Sequence, residues 1–143
     1  MIEPGPGDHI RVLVKGYYHH GIYIGNDEVV QFGLPFNLYQ DHSEIEVIKS
    51  PIEDFLNGGF LEVRVFSKKE LKEKFPNKKI VEIALSKIGE KGYNLLYNNC
   101  EHFANLCVFG KKISYQVENI HEQIKNVLNK KIELMPYFSN LTN

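Results

Sequence analysis

The sequence lacks three features that would decide its class at once: a long apolar run, an excess of one charge, and a set of cysteines. No apolar run approaches the ~20 residues that span a bilayer. The start, MIEPGPGDHI, lacks the charged segment and apolar core of a signal peptide. A net charge of −1, from 17 basic and 18 acidic residues, does not favour nucleic acid as a partner. We therefore expect a cytoplasmic protein that does not bind nucleic acid.

The two cysteines, Cys100 and Cys107, both lie in the stretch NNCEHFANLC. On one helix they would be about 10 Å apart, too far for a disulfide, so we expect free thiols. There is no C-x-x-C and no H-x-x-x-H motif, and Cys100 and His102 would point to different sides of a helix. The sequence therefore predicts neither a metal site nor a cofactor.

Strand patterns occupy the first half of the chain and helix patterns the second. The first half predicts strands over 8–16, 17–25, 28–33, 43–50 and 61–67, the second and third of them forming a hairpin. The second half predicts helices over 68–75, 77–92, from about Asn99, and over 117–132. This order indicates a single α+β domain over 1–143, in which an antiparallel β-sheet packs against helices.

Cys100 follows two asparagines that are good helix N-cap residues, Asn98 and Asn99. A thiol in the first turn of a helix faces unpaired N–H groups and the positive end of the helix dipole, which lower a cysteine pKa. The same N–H groups can stabilise an oxyanion. The alternative is that Cys100 is a small buried residue. Cys107 lies on the apolar face of the same helix and is predicted to fill the core.

A thiol nucleophile needs a base, and the candidates are six histidines. His102 would lie on another face of the Cys100 helix, so we expect it to be exposed or bonded to backbone. His19 and His20 are neighbours in a predicted strand and must point to opposite faces of the sheet.

Gln31 is a polar residue in an apolar strand and a suitable hydrogen-bond partner for an imidazole. A three-residue hairpin loop over 25–27 puts Gln31 opposite Gly21, on the His19 face. A two-residue Asn-Asp turn puts it opposite Ile22, on the His20 face. Spacing leaves both registers open.

The segments PGDHI, HHGIYIGNDEVVQFG and NLLYNNCEHFANLCVFG together resemble the lecithin:retinol acyltransferase (LRAT) family. That family is a circularly permuted branch of the NlpC-type papain-like cysteine enzymes. The resemblance implies a catalytic core over about 6–110 and a C-terminal helical extension over about 111–143. It implies Cys100 as nucleophile, His19 as base, and Gln31 in the position where lipid-acting members usually carry a second histidine. It also favours the three-residue loop.

The function that the resemblance implies is a thiol acyltransferase or hydrolase that forms a thioester on Cys100 and acts on phospholipid or other acyl esters. Phe36 and Tyr23 are assigned as substrate contacts. Contact with a membrane would be peripheral, through the loop FGLPFNLY (32–39). Because Gln31 departs from the family pattern, a peptidase or amidase on peptide, isopeptide or cell-wall amides is the alternative. A non-catalytic binding module of the same fold is the third hypothesis.

Overall fold

The structure is a computed structural model, and it describes residues 3–35, 41–95, 98–112, 114 and 137–140. Six antiparallel strands form one sheet in the order β4-β3-β2-β1-β5-β6. The strands are β1 His9–Val14, β2 Tyr17–Gly25, β3 Glu28–Phe32, β4 Val47–Pro51, β5 Leu61–Val65 and β6 Tyr137–Asn140. The helices are α1 Ile52–Leu56, α2 Lys68–Glu73, α3 Asn77–Ser86 and α4 Cys100–Phe109. The predicted α+β class is confirmed.

The hairpin of β2 and β3 has the predicted register at Gln31 but a different turn. Gly21 faces Gln31, as the three-residue loop required. The loop is instead the two-residue turn Asn26-Asp27, in which both residues have positive φ, as in type I′ turns. A bulge between Tyr23 and Gly25 adds one residue to β2 and so shifts Gln31 from Ile22 to Gly21. The predicted three-residue loop was wrong, and the register that it implied was right.

The helix starts were predicted better than the helix ends. The α2 helix begins at Lys68, as predicted, behind a capping box of Ser67 and Glu70, and α4 begins at Cys100 with Asn99 as N-cap. The α3 helix begins at Asn77, as predicted, with Pro76 as its N-cap, but it ends at Ser86, earlier than predicted. Neither α1 nor β6 was predicted. The helix predicted over 117–132 lies outside the described residues.

Both faces of the sheet are covered, and they bury different residues of β2. On one face Ile22 and Val30 pack with α3 and α4 in a core that includes Cys100 and Cys107. On the other face Tyr23 and Val29 pack around Phe55 of α1. Cys107 is fully buried, as predicted. None of the helices among the described residues is long and apolar enough to cross a membrane.

Candidate active site

Cys100 is the first residue of α4, and a capping box holds this end of the helix. The Asn99 side-chain oxygen accepts hydrogen bonds from the N–H groups of Glu101 (2.9 Å) and His102 (3.0 Å). The Nδ1 of His102 in turn accepts the N–H of Asn99 at 3.0 Å. His102 is therefore bonded to backbone, as predicted.

The Asn99 cap reduces the number of N–H groups at the start of α4 that are available to bind a substrate. Since Asn99 already takes the N–H groups of Glu101 and His102, these donors are engaged within the protein. The N–H of Cys100 is the first-turn donor that Asn99 does not take. Any oxyanion site at this helix would rest mainly on that one N–H rather than on the whole turn.

The Cys100 thiol is buried against the backbone of β2. Its Sγ lies 3.9 Å from the Tyr18 carbonyl oxygen, and the His20 backbone N–H also bonds the sulfur. The pairing of β2 with β3 ends at Gly21 and Gln31, so Tyr18 and His20 lie beyond the paired part of these two strands. The sulfur therefore contacts backbone groups on both sides of His19 in the chain.

Burial raises the pKa of the Cys100 thiol to about 12. The backbone N–H groups of His20, Glu101 and Cys100 act in the opposite direction, while the Glu101 carboxylate raises the pKa further. The N–H groups at the start of α4 thus lower the pKa of Cys100, as predicted, but the loss of solvation on burial raises it by more. The expectation of a lowered Cys100 pKa was wrong for this state of the protein, and the resting group is a thiol.

His19 and Gln31 are joined by a buried hydrogen bond, with 2.7 Å between His19 Nε2 and Gln31 Oε1. The Gln31 amide nitrogen donates to the Ser50 hydroxyl at 2.5 Å. Burial lowers the pKa of His19 to about 4, although the bonds to Gln31 and to the Gly33 backbone act in the opposite direction. The imidazole is therefore neutral near pH 7 and able to accept a proton.

The His19 ring faces α1, with its centroid 5.2 Å from that of Phe55. The structure thus brings His19 and Gln31 into direct contact, and it brings Cys100 to the backbone beside His19. The hydrogen bond that it shows for the thiol goes to the Tyr18 carbonyl rather than to an imidazole.

His20 faces α4, and its ring belongs to a buried chain of hydrogen bonds. Its Nδ1 lies 2.8 Å from His9 Nε2, and its Nε2 lies 4.0 Å from Glu101 Oε2. Arg64 Nη1 lies 3.2 Å from His9 Nδ1. A guanidinium only donates, so His9 Nδ1 accepts and His9 Nε2 donates to His20. The remaining N–H of His20, on Nε2, then faces Glu101. The neutral His20 ring therefore has no free lone pair with which to act as a base.

Burial and nearby positive charge keep both of these histidines neutral. Desolvation lowers the pKa of His9 and of His20 well below the usual range, and Arg11 and Arg64 act in the same direction. Arg64 also donates to Asn105 of α4 (2.7 Å) and pairs with Glu70 of α2 (2.7 Å). The chain therefore ties β1, β2 and β5 to the helix that carries Cys100.

Sequence reasoning missed this chain, although one signal was present. His9, His20 and Arg64 are polar residues in strands that are otherwise mostly apolar. Such residues must find buried partners, but their sequence positions do not say which ones.

The two predicted substrate contacts have different outcomes. Tyr23 is buried on the α1 side of the sheet, and its hydroxyl accepts the Asp27 N–H at 3.1 Å. It packs around Phe55, whereas Cys100 packs in the core on the other face of the sheet, and its role as a substrate contact stays a prediction. Phe36 lies outside the described residues.

A thiol at the start of a helix, packed against a strand that carries a neutral buried imidazole, supplies the groups of a thiol-dependent acyl-transfer enzyme. Residues 2–113 match the family model for lecithin retinol acyltransferase. The chain therefore belongs to the lecithin retinol acyltransferase family.

Curated relatives with two kinds of name match most of the chain. Rat lecithin retinol acyltransferase is 28% identical over 83% of this chain and 60% of its own length. Human phospholipase A and acyltransferase 4 is 28% identical over 85% of this chain and 80% of its own. Human phospholipase A and acyltransferase 1 is 31% identical over 80% of this chain and 73% of its own length. The chain spans about three-fifths of the length of the rat lecithin retinol acyltransferase.

Proposed function

We propose that this protein transfers or hydrolyses acyl groups through a thioester on Cys100, with a phospholipid as the favoured acyl donor. The observation that carries the proposal is the Cys100 thiol at the start of α4, in contact with the backbone on either side of His19. The names of the similar proteins, which combine phospholipase A and acyltransferase, support the choice of substrate class.

His19 is the base in this proposal, and Gln31 holds its ring. Because Gln31 Oε1 faces His19 Nε2, that nitrogen carries the proton and Nδ1 keeps the lone pair. His20 is the rival, but its Nδ1 accepts from His9 at 2.8 Å, and its Nε2–H is directed toward Glu101 Oε2, 4.0 Å away.

The proton leaves Cys100 as the sulfur attacks, rather than before. Burial raises the thiol pKa and lowers the His19 pKa, so a resting thiolate–imidazolium pair is unfavourable. Sulfur bonds to the acyl carbon while His19 takes the proton. The ester C–O bond then breaks, and the departing oxygen receives that proton. Water, an amine or an alcohol next attacks the thioester carbon and gives its proton to His19. The C–S bond then breaks, the acylated product leaves, and the sulfur takes that proton back as the thiol.

The experiment is intact-mass analysis after incubation with phosphatidylcholine vesicles. We expect a mass increase of one acyl group, mapped to Cys100, that is absent in Cys100→Ser and kept in Cys107→Ser. Cys107 is a fair control because it lies on the same helix and is buried in the same core. An adduct on both cysteines, or on Cys107 alone, would contradict the assignment.

A peptidase or amidase using the same residues is the second candidate, and Gln31 is the observation in its favour. Glutamine orients an imidazole but does not share its proton, unlike the second histidine expected in lipid-acting members. Release of lysophospholipid and of amine from matched ester and peptide amide substrates separates the two activities. If an acyl-type probe fails to label Cys100 in the folded protein, the non-catalytic binding module is the remaining hypothesis.

We further propose that contact with a lipid surface is peripheral. The predicted loop begins at Phe32, which is buried against Phe103, and its residues 36–39 lie outside the described part of the chain. Large exposed apolar side chains occur instead at Leu13 (58% exposed) and Phe60 (66%). Leu13 pairs with Tyr18, whose carbonyl contacts Cys100, so this end of the sheet adjoins the candidate site.

Vesicle sedimentation tests this contact. Leu13→Asp combined with Phe60→Asp should reduce the vesicle-bound fraction several-fold, because two apolar anchors become charged. Leu71→Asp is the control, since Leu71 is as exposed as Leu13 but lies on α2. Equal loss in the control, or no loss in the double variant, would remove these residues as the contact.

A further inference from the structure

The capping box at the start of α4 closes around Cys100. The Asn99 side-chain oxygen accepts the His102 N–H at 3.0 Å, and His102 Nδ1 accepts the Asn99 N–H at 3.0 Å, so the two residues are joined in both directions. Cys100 and Glu101 lie between them in the chain, and all four residues are buried. The backbone on both sides of the proposed nucleophile is therefore held by this pair of bonds.

The bond from Asn99 determines which nitrogen of the His102 ring carries a proton. A backbone N–H only donates, so Nδ1 must have a lone pair, and the neutral ring has its proton on Nε2. Burial lowers the pKa of His102. Glu101 and Lys112 are the charged groups of the described residues that act on the ring, Glu101 raising the pKa and Lys112 lowering it. The neutral ring is thus the main form at pH 7.

Histidine makes this capping box sensitive to acid. The third position after the N-cap usually holds glutamate or glutamine, and α2 follows that rule with Glu70. In α4 the same position holds His102. A glutamine oxygen accepts at any pH, whereas Nδ1 accepts only while it is unprotonated. A proton on Nδ1 would remove the acceptor and place two N–H groups against each other, next to Cys100.

We propose that His102 is a positioning residue whose unprotonated Nδ1 holds the Asn99 backbone, and with it Cys100, in the geometry for acylation. The N–H of Cys100 is the first-turn donor that Asn99 does not take, and it belongs to the peptide group that follows Asn99. The Cys100 sulfur lies 3.9 Å from the Tyr18 carbonyl, so a shift of the first turn also moves the sulfur relative to β2. The effect on rate rests on the proposed function, whereas the bond is a property of the resting protein.

The test compares His102→Gln and His102→Leu, with Ser67→Ala as a matched control. Glutamine keeps an oxygen that accepts the Asn99 N–H and does not titrate, whereas leucine has no acceptor. Ser67 caps α2 through the Glu70 N–H, so its removal deletes a capping bond of another helix. Acylation of Cys100 by phosphatidylcholine vesicles is measured between pH 7.5 and 5, where circular dichroism shows each variant folded. Backbone-assigned ¹H–¹⁵N spectra of the same samples report the Asn99 and Cys100 amides.

At pH 7.5 we expect His102→Gln and Ser67→Ala to be acylated at the wild-type rate. His102→Leu should be acylated about 2- to 10-fold more slowly, the range that corresponds to one neutral hydrogen bond. On acidification the wild-type rate should fall at a higher pH than the rate of His102→Gln, because only the imidazole loses its acceptor. Over that pH range the Asn99 amide proton should move upfield in wild type and stay in place in His102→Gln.

Three results would overturn the proposal: a wild-type rate in His102→Leu, equally low rates in His102→Leu and His102→Gln, or the same fall in rate with pH for wild type and His102→Gln. If His102→Leu does not fold, the comparison of wild type with His102→Gln decides. If wild type is never acylated, but its Asn99 and Cys100 amide signals titrate together and those of His102→Gln do not, the positioning role stands and the proposed function fails.

Discussion

His9 and His20 share a buried hydrogen bond of 2.8 Å whose direction is fixed by Arg64. Because Arg64 donates to His9, His9 must donate to His20, and His20 must direct its remaining N–H toward Glu101. Of the two adjacent histidines of β2, the one on the same face as α4 is thus occupied by the structural chain. The one on the opposite face, His19, holds Gln31.

The first prediction separates these two histidines by substitution. His19→Asn should slow acylation of Cys100 by about 10²–10⁴-fold, the usual contribution of a general base. His20→Asn should change the rate by less than tenfold but lower the free energy of unfolding, because buried partners lose their bonds. The measurements are adduct formation by mass spectrometry and urea denaturation. The reverse ranking of the two rates would identify His20 as the base.

The second prediction concerns stability at acid pH. His9, His19 and His20 have folded-state pKa values below the unfolded value of about 6.5, so unfolding takes up protons below that pH. Stability should be fully present above pH ~6.5 and fall as the pH drops, by about 1.4 kcal/mol per pH unit for each histidine that stays neutral in the folded protein. For His19 this loss ends near pH 4.

Thermal or urea unfolding between pH 7.5 and 4.5 measures this slope, and His20→Asn should make it shallower. Increasing stability on acidification would show that these histidines gain protons on folding.

The third prediction follows from the raised pKa of Cys100. In the folded protein without substrate, alkylation of Cys100 by iodoacetamide should be slow at pH 7 and continue to rise above pH 9, because little thiolate is present. Rapid alkylation at pH 7 that levels off near pH 6 would instead indicate a resting thiolate–imidazolium pair. The rate of labelling, mapped by peptide mass, distinguishes these cases.

The fourth prediction compares two substitutions of Gln31. Gln31→Leu should slow Cys100 acylation at least tenfold, because the buried His19 Nε2–H loses its acceptor. Gln31→His restores a polar partner and should retain most of the rate. Circular dichroism and the free energy of unfolding provide the control for folding. Equal rates for the two variants would show that the third residue does not orient His19.

The fifth prediction concerns the helix cap. Asn99→Ala should lower the free energy of unfolding by about 0.5–2 kcal/mol, since two N–H groups lose their acceptor. It should also change the reactivity of Cys100, which is the next residue. Ser67→Ala is the matched control, because it removes the N-cap of α2 but should leave that reactivity unchanged. Identical effects on Cys100 would show that the cap acts only through overall stability.

The sequence by itself determined the features that depend on local pattern. Alternating apolar residues and a turn signal predict β2 and β3, and asparagines before Cys100 predict where α4 begins, because strand and helix periodicity and capping act over a few residues. The motifs around His19 and Cys100 also indicated the family.

Only the tertiary structure decided how those elements meet. The bulge after Tyr23, which sets the register of Gln31, has no local signal strong enough to predict it. The raised pKa of Cys100 depends on burial between β2 and α4, and the partners of His9 and Gln31 lie on distant segments. Spacing in the chain gives the direction of a side chain, whereas burial and hydrogen-bond partners are fixed only when separate strands and helices pack together.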